Sequence, residues 1–117
     1  MRTYLFKSII TVKPIDRGKW WIDRKISNIY INANNIREAL KDYKNKIEEY
    51  DITISDSALK NKSKMYIDKD NKSIQIGYVI TGKTLFENDN RKWVERYIDL
   101  WVEIQEVKNP FIEKLIA

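Results

Sequence analysis

Apolar and polar residues alternate along most of this chain, and the alternation gives way once to a helical period. In 93–104, "WVERYIDLWVEI", one alternate set holds Val94, Ile98, Leu100, Val102 and Ile104. The other set holds Trp93, Glu95, Tyr97, Asp99, Trp101 and Glu103. A period of two predicts a strand over 92–107, with Val94 to Ile104 facing a core. The same reading predicts strands over 4–12, 26–33, 52–55, 64–68 and 73–86, the last with Ile74, Ile76, Tyr78 and Ile80 on one face. Pro14 and Gly18 mark a turn after the first strand. Asp68-Lys69-Asp70-Asn71-Lys72-Ser73 reads as a hairpin turn, and 87–92 as another. After Pro110 the tail is expected to form one helical turn.

The helical period falls at Ile36, Ala39, Leu40, Tyr43, Ile47 and Tyr50, a single stripe of a helix of about 15 residues. Asn35 with Glu38 three residues later has the form of a capping box. Glu48 and Glu49 would put negative charge in the last turn, against the helix dipole, so packing must hold this helix. The order is β-β-α-β-β-β. It predicts a single α+β domain over 1–117, a mainly antiparallel twisted sheet of about five strands with one helix on one face. A helix about 23 Å long cannot cover strands of this length in a sheet about 20 Å wide. Part of the second face is therefore expected to stay open, or to be covered by another molecule.

Composition narrows the chemistry. There is no cysteine and no histidine, which removes thiolate and imidazole metal sites, thiol nucleophiles and Ser-His-Asp arrangements. No catalytic role, metal site or cofactor is expected. Lack of disulfides fits a reducing cytoplasm, and the charge-broken start "MRTYLFKSIITVKPIDRGK" fits neither signal peptide nor membrane span.

The net charge of +5 is unevenly placed. Residues 1–50 hold 11 basic and 6 acidic side chains, whereas 51–117 hold 11 of each. Within the second half, 60–72 carry five lysines against two aspartates. Such patterning predicts distinct charged surfaces on one molecule.

Three motifs bear on chemistry. Gly77, Gly82, Lys83 and Thr84 satisfy GxxxxGKT, but Tyr-Val-Ile-Thr between the glycines reads as strand and no helix follows, so a nucleotide role is not expected. Asp68 and Asp70 belong to a turn rather than to a metal site. Glu103-Ile104-Gln105 lacks the lysine that a magnesium-dependent nuclease strand needs.

What remains is surface. Four Trp and seven Tyr are many for 117 residues. Trp93, Tyr97 and Trp101, joined by Trp20 and Trp21, would form an exposed aromatic patch interleaved with Glu95, Asp99 and Glu103. The plain alternative is a solvated sheet face whose carboxylates pair with lysines of the next strand, such as Lys83. The mixture of rings and carboxylates suits a protein or nucleoprotein partner, or a second copy of this chain as a homodimer. Carboxylates between the rings would repel nucleic acid there. Direct DNA or RNA binding is the alternative reading, through the basic helix face and lysine-rich loop: Arg37, Lys41, Lys44, Lys60, Lys62 and Lys64. Abundant Ile, Lys and Asn, with few Ala and Gly, point to an A/T-rich genome. In composition alone the chain resembles small accessory proteins of phages and mobile elements. The expected location is a bacterial host cytoplasm, and the leading expectation is a non-enzymatic binding protein that docks through the aromatic strand face, for example as an inhibitor of a host nucleic-acid-targeting defence system.

Overall fold

The computed structural model describes residues 1–12, 21–65, 76–87 and 90–107. Four long strands make most of a six-stranded antiparallel sheet: β1 (Arg2–Val12), β2 (Trp21–Ala33), β5 (Ile76–Glu87) and β6 (Trp93–Glu106). They lie in the order β2-β1-β6-β5, so the first strand is interior and pairs with the last. Two short strands, β3 (Ile52–Thr53) and β4 (Ser63–Lys64), share the outer edge of β5. Between β2 and β3 the chain forms α1 (Ile36–Lys46) and a 3-10 turn (Ile47–Tyr50). A second, five-residue helix, α2 (Asp56–Lys60), separates β3 from β4. The α+β class, antiparallel sheet and covering helix are as the periodicities predict.

One face of the sheet packs on α1. Tyr4, Phe6 and Ile10 of β1, Ile29 and Ile31 of β2, Ile80 of β5, and Ile98, Leu100, Val102 and Ile104 of β6 are buried there. Ala39, Leu40, Tyr43 and Ile47 cover them, the stripe read from the sequence. The Phe6 and Tyr43 rings stack with centroids 4.7 Å apart. Beside them the Ser8 hydroxyl, also buried, bonds the Tyr43 hydroxyl at 2.6 Å. Among the described residues no buried side-chain polar atom lacks a partner, so this pair reconciles a serine with an apolar layer.

The caps depart from expectation in detail. The Asn35 side chain accepts from the Glu38 N–H at 2.9 Å, but the Glu38 carboxylate accepts from Asn34 N–H rather than from the cap residue. The α-helix also ends earlier, at Lys46. Its last turn therefore carries Lys44 and Lys46, which favour the dipole, and Glu48 and Glu49 fall in the 3-10 turn beyond. Asp51 ends that turn at φ 59°, a left-handed conformation that aspartate tolerates better than most residues.

The edge beside β5 explains the unforeseen helix. Ile52 pairs with Thr84 and Ser63 with Val79, so β5 advances five positions between these pairs while the edge chain advances eleven. The six extra residues loop out as α2, capped where the Ser55 hydroxyl accepts from Ala58 N–H at 3.0 Å. The strand expected over 52–55 accordingly shrinks to Ile52–Thr53; of the one expected over 64–68, Lys64 is in β4 and 66–68 lie outside the described residues. Ile54 is still buried.

Candidate interaction surfaces

β6 places the candidate aromatic residues through its ladder to both neighbours. Trp101 lies opposite Ile9 of β1 and Val79 of β5; Tyr97 lies opposite Lys83; Glu95 lies opposite Leu85. All are on the side of the sheet away from α1. Trp93, Tyr97 and Trp101 are 68%, 56% and 39% exposed. This face is not uniformly open, because Leu5, of the same parity in β1, is buried.

Pairing shows why exposure grows toward Trp93. Among the described residues β1 meets β6 as far as Val12–Ile98, and β3 meets β5 as far as Ile52–Thr84. Beyond those pairs the ends of β5 and β6 continue, among the described residues, as a two-stranded arm. The arm carries Leu85, Trp93, Val94 and Tyr97, all of them exposed. Val94, expected in the core from its parity, is 40% exposed. The alternation is intact there, but among the described residues no third strand or helix covers Val94. The sequence reading missed Leu85 and misplaced Val94, because period two assigns a face and does not say how far neighbouring strands extend.

The interleaved carboxylates have partners within the sheet. Lys83 Nζ lies 3.3 Å from Glu95 and 5.1 Å from the centre of the Tyr97 ring. Its hydrogen bond to Glu95, with that carboxylate's charge, holds the ammonium pKa above its ordinary value. The Thr81 hydroxyl donates to Asp99 at 3.4 Å, and the Trp101 indole N–H donates to Thr11 Oγ1 at 2.9 Å. Glu103 sits opposite Lys7 and Gly77. Cross-strand pairing thus accounts for much of the charge on this face, and leaves the rings as its unexplained feature. Of the other two tryptophans, Trp21 pairs through its backbone with Val12. Trp20 and the side chain of Trp21 lie outside the described residues.

A second surface forms on the helix side. α1 and the looped-out α2 enclose a groove of about 980 Å³. Arg37, Lys41 and Lys44 come to it from α1, Lys60 and Lys62 from the end of α2 and the residues after it. Ile36, Leu40, Leu59 and Tyr78 supply apolar lining, and Lys62 Nζ stands 5.0 Å from the centre of the Tyr78 ring. Lys44 bonds Asp56 across the groove, and that bond and the Lys44 charge, with a smaller effect of Lys41, lower the Asp56 pKa. Five of the six basic residues singled out in the sequence meet here. Lys64 is exposed on β4, opposite Tyr78. α2 could have been read from Ser55-Asp56-Ser57-Ala58-Leu59, a capping serine followed by an acidic first position and helix formers.

No family model, curated protein or solved structure matches the chain.

The remaining candidates resolve simply. Gly77 to Thr84 lie within β5, with Lys83 turned to Glu95 and the Thr84 hydroxyl donating to the Asp51 carbonyl at 2.8 Å. That extended geometry gives no cradle of backbone N–H groups for a phosphate. A Cβ at Gly82 would lie 3.3 Å from the Thr53 carbonyl oxygen, so this glycine admits the short edge strand. Asp68, Asp70 and the hairpin turn predicted around them lie outside the described residues, as does the tail after Pro110. Among the described residues no cluster of carboxylates suited to a metal occurs, and no helix is long and apolar enough to cross a membrane.

Proposed function

We propose that this chain is a non-enzymatic binding protein that docks onto a protein or nucleoprotein partner through β6 and the β5–β6 arm. One observation carries the reading: Leu85, Trp93, Val94 and Tyr97 stand exposed together on a two-stranded projection. An isolated pair of strands is marginal in water, and an apolar one gains by being covered. Interface centres favour Trp and Tyr, with charged residues at the rim setting register. Lys83 and Glu95 are suited to that rim. Glu95, Asp99, Trp101 and Glu103 extend the surface along the strand toward the sheet, and Trp20 and Trp21 remain candidate contributors. Inhibition of a nucleic-acid-targeting defence system in a bacterial cytoplasm is one activity such a docking protein would serve.

The test compares wild type with Trp93→Ala and Tyr97→Ala in pull-downs and light scattering. Trp101 is the poorer choice, since its bond to Thr11 ties it to sheet stability. Loss of a captured partner in both folded variants supports the reading. A concentration-dependent dimer abolished by the same substitutions assigns the arm to a second copy of this chain. Partner capture unchanged in both variants refutes arm docking.

A further inference from the structure

We propose that the groove between α1 and α2 binds single-stranded nucleic acid, with phosphates held at its basic rim and an unpaired base against its apolar floor. This surface lies on the helix side of the sheet and is independent of the arm. Lysines that serve only solubility diverge into water. Here two segments about twenty residues apart bring five cations around one cavity, against one carboxylate, Asp56, among the described residues. Gathering like charges costs Coulomb energy, and a polyanion relieves it. Arg37, Lys41 and Lys44 follow one another at roughly one-turn intervals along α1, a row able to follow a chain of phosphates.

The floor decides the kind of polyanion. Leu40, Leu59 and Tyr78 offer apolar contact between the cations. Inorganic phosphate or a duplex backbone would leave that floor empty, because duplex bases are stacked inside the helix. An unpaired base fills it, and the partly buried Tyr78 ring is a stacking surface of the kind single-strand binders use. Lys62, now over that ring, swings aside to the phosphate on binding. The groove volume also falls at the upper end of the range for ligand sites, about 300–1,000 Å³.

Fluorescence anisotropy with a labelled mixed-sequence single-stranded DNA, and with the same sequence as duplex, tests this across a salt series. Four cations on phosphates give a slope of log affinity against log salt of about −2.8, from roughly 0.7 per phosphate on a single strand. The Lys41→Ala, Lys60→Ala double variant removes two exposed side chains and is expected to shallow that slope by about 1.4. The Lys41→Arg, Lys60→Arg variant keeps both charges and binds like wild type. Trp93→Ala does so too, which separates this site from the arm. Circular dichroism confirms that each variant is folded. No binding of the single strand at about 50 mM salt overturns the proposal. Binding undiminished by the alanine pair, or duplex bound as tightly as single strand, also overturns it.

Discussion

The Ser8–Tyr43 hydroxyl pair offers the sharpest test of how this core is built. Both residues are buried, at 4% and 0% exposure, and their oxygens are 2.6 Å apart. Tyr43→Phe keeps the ring on Phe6 but strands the Ser8 hydroxyl; Ser8→Ala strands the tyrosine hydroxyl. Each single change should cost about 1–3 kcal/mol, the penalty for a buried polar group left unpaired. The double variant removes both hydroxyls together and leaves nothing unsatisfied, so its cost should fall well below the sum. Urea unfolding of the four proteins measures this as midpoint shifts at constant slope. Strict additivity, within about 0.5 kcal/mol, would refute the reasoning, since it would mean that the two hydroxyls do not depend on each other.

A pH series adds an independent check. Burial pushes the Tyr43 phenol well above its ordinary value of 10.0, with the Ser8 hydrogen bond opposing and Tyr50 adding slightly. The folded protein then keeps a proton that the unfolded chain releases above about pH 10. Stability from this group is complete below that pH and falls by about 1.4 kcal/mol per pH unit above it, until the folded-state pKa is reached. Tyr43→Phe has no such proton. The stability difference between wild type and variant should therefore shrink as pH rises past 10, a comparison that cancels the titration of the lysines. A difference constant through pH 11 would show that the phenol is not shielded.

Three further outcomes follow from single contacts. Asn35→Ala removes the α1 cap and should lower stability by about 1 kcal/mol, with Asn35→Asp close to neutral, by urea denaturation. Gly82→Val places methyl groups against the Thr53 carbonyl oxygen and Ile52, whose nearest atoms already lie 3.3 and 3.4 Å from a single Cβ, and should destabilise by about 1–3 kcal/mol. Lys83→Ala breaks an exposed pair with Glu95 and should leave the urea midpoint unchanged in physiological salt, because such pairs are screened by water and ions.

The sequence was most legible where one face is buried throughout. Ile98, Leu100, Val102 and Ile104 alternate and are buried; Ile36, Ala39, Leu40, Tyr43 and Ile47 recur at helical spacing and form the covering stripe. It was least legible where the answer depended on partners in space. Val94 continues the alternation of its strand, yet among the described residues neither β1 nor β3 reaches it. The interior position of β1 between β2 and β6 leaves no local trace, since hydrophobic alternation does not name the neighbouring strand. α2 was hidden because its five residues are too few to show a period, although Ser55 marked its start. The basic residues could be named from the sequence, but only the six-residue excursion along the β5 edge turns Lys60 and Lys62 toward Arg37, Lys41 and Lys44.

The groove and the arm lie toward opposite ends of the same strand. Tyr78 at the groove and Leu85 on the arm are seven residues apart along β5, about 24 Å at strand rise, and their side chains point to opposite faces. Substitutions at such a distance, with no shared contacts, should act additively. A molecule that engages a nucleoprotein with both surfaces would then gain from their linkage without new contacts, because the first attachment raises the local concentration of the second. The signature is specific. Trp93→Ala and the Lys41→Ala, Lys60→Ala pair should each weaken capture of the nucleoprotein, while only the lysine pair loses its effect when the nucleic acid is digested. If digestion abolishes the effect of Trp93→Ala as well, the arm reads the nucleic acid itself, and the division of labour between the two ends of β5 is wrong.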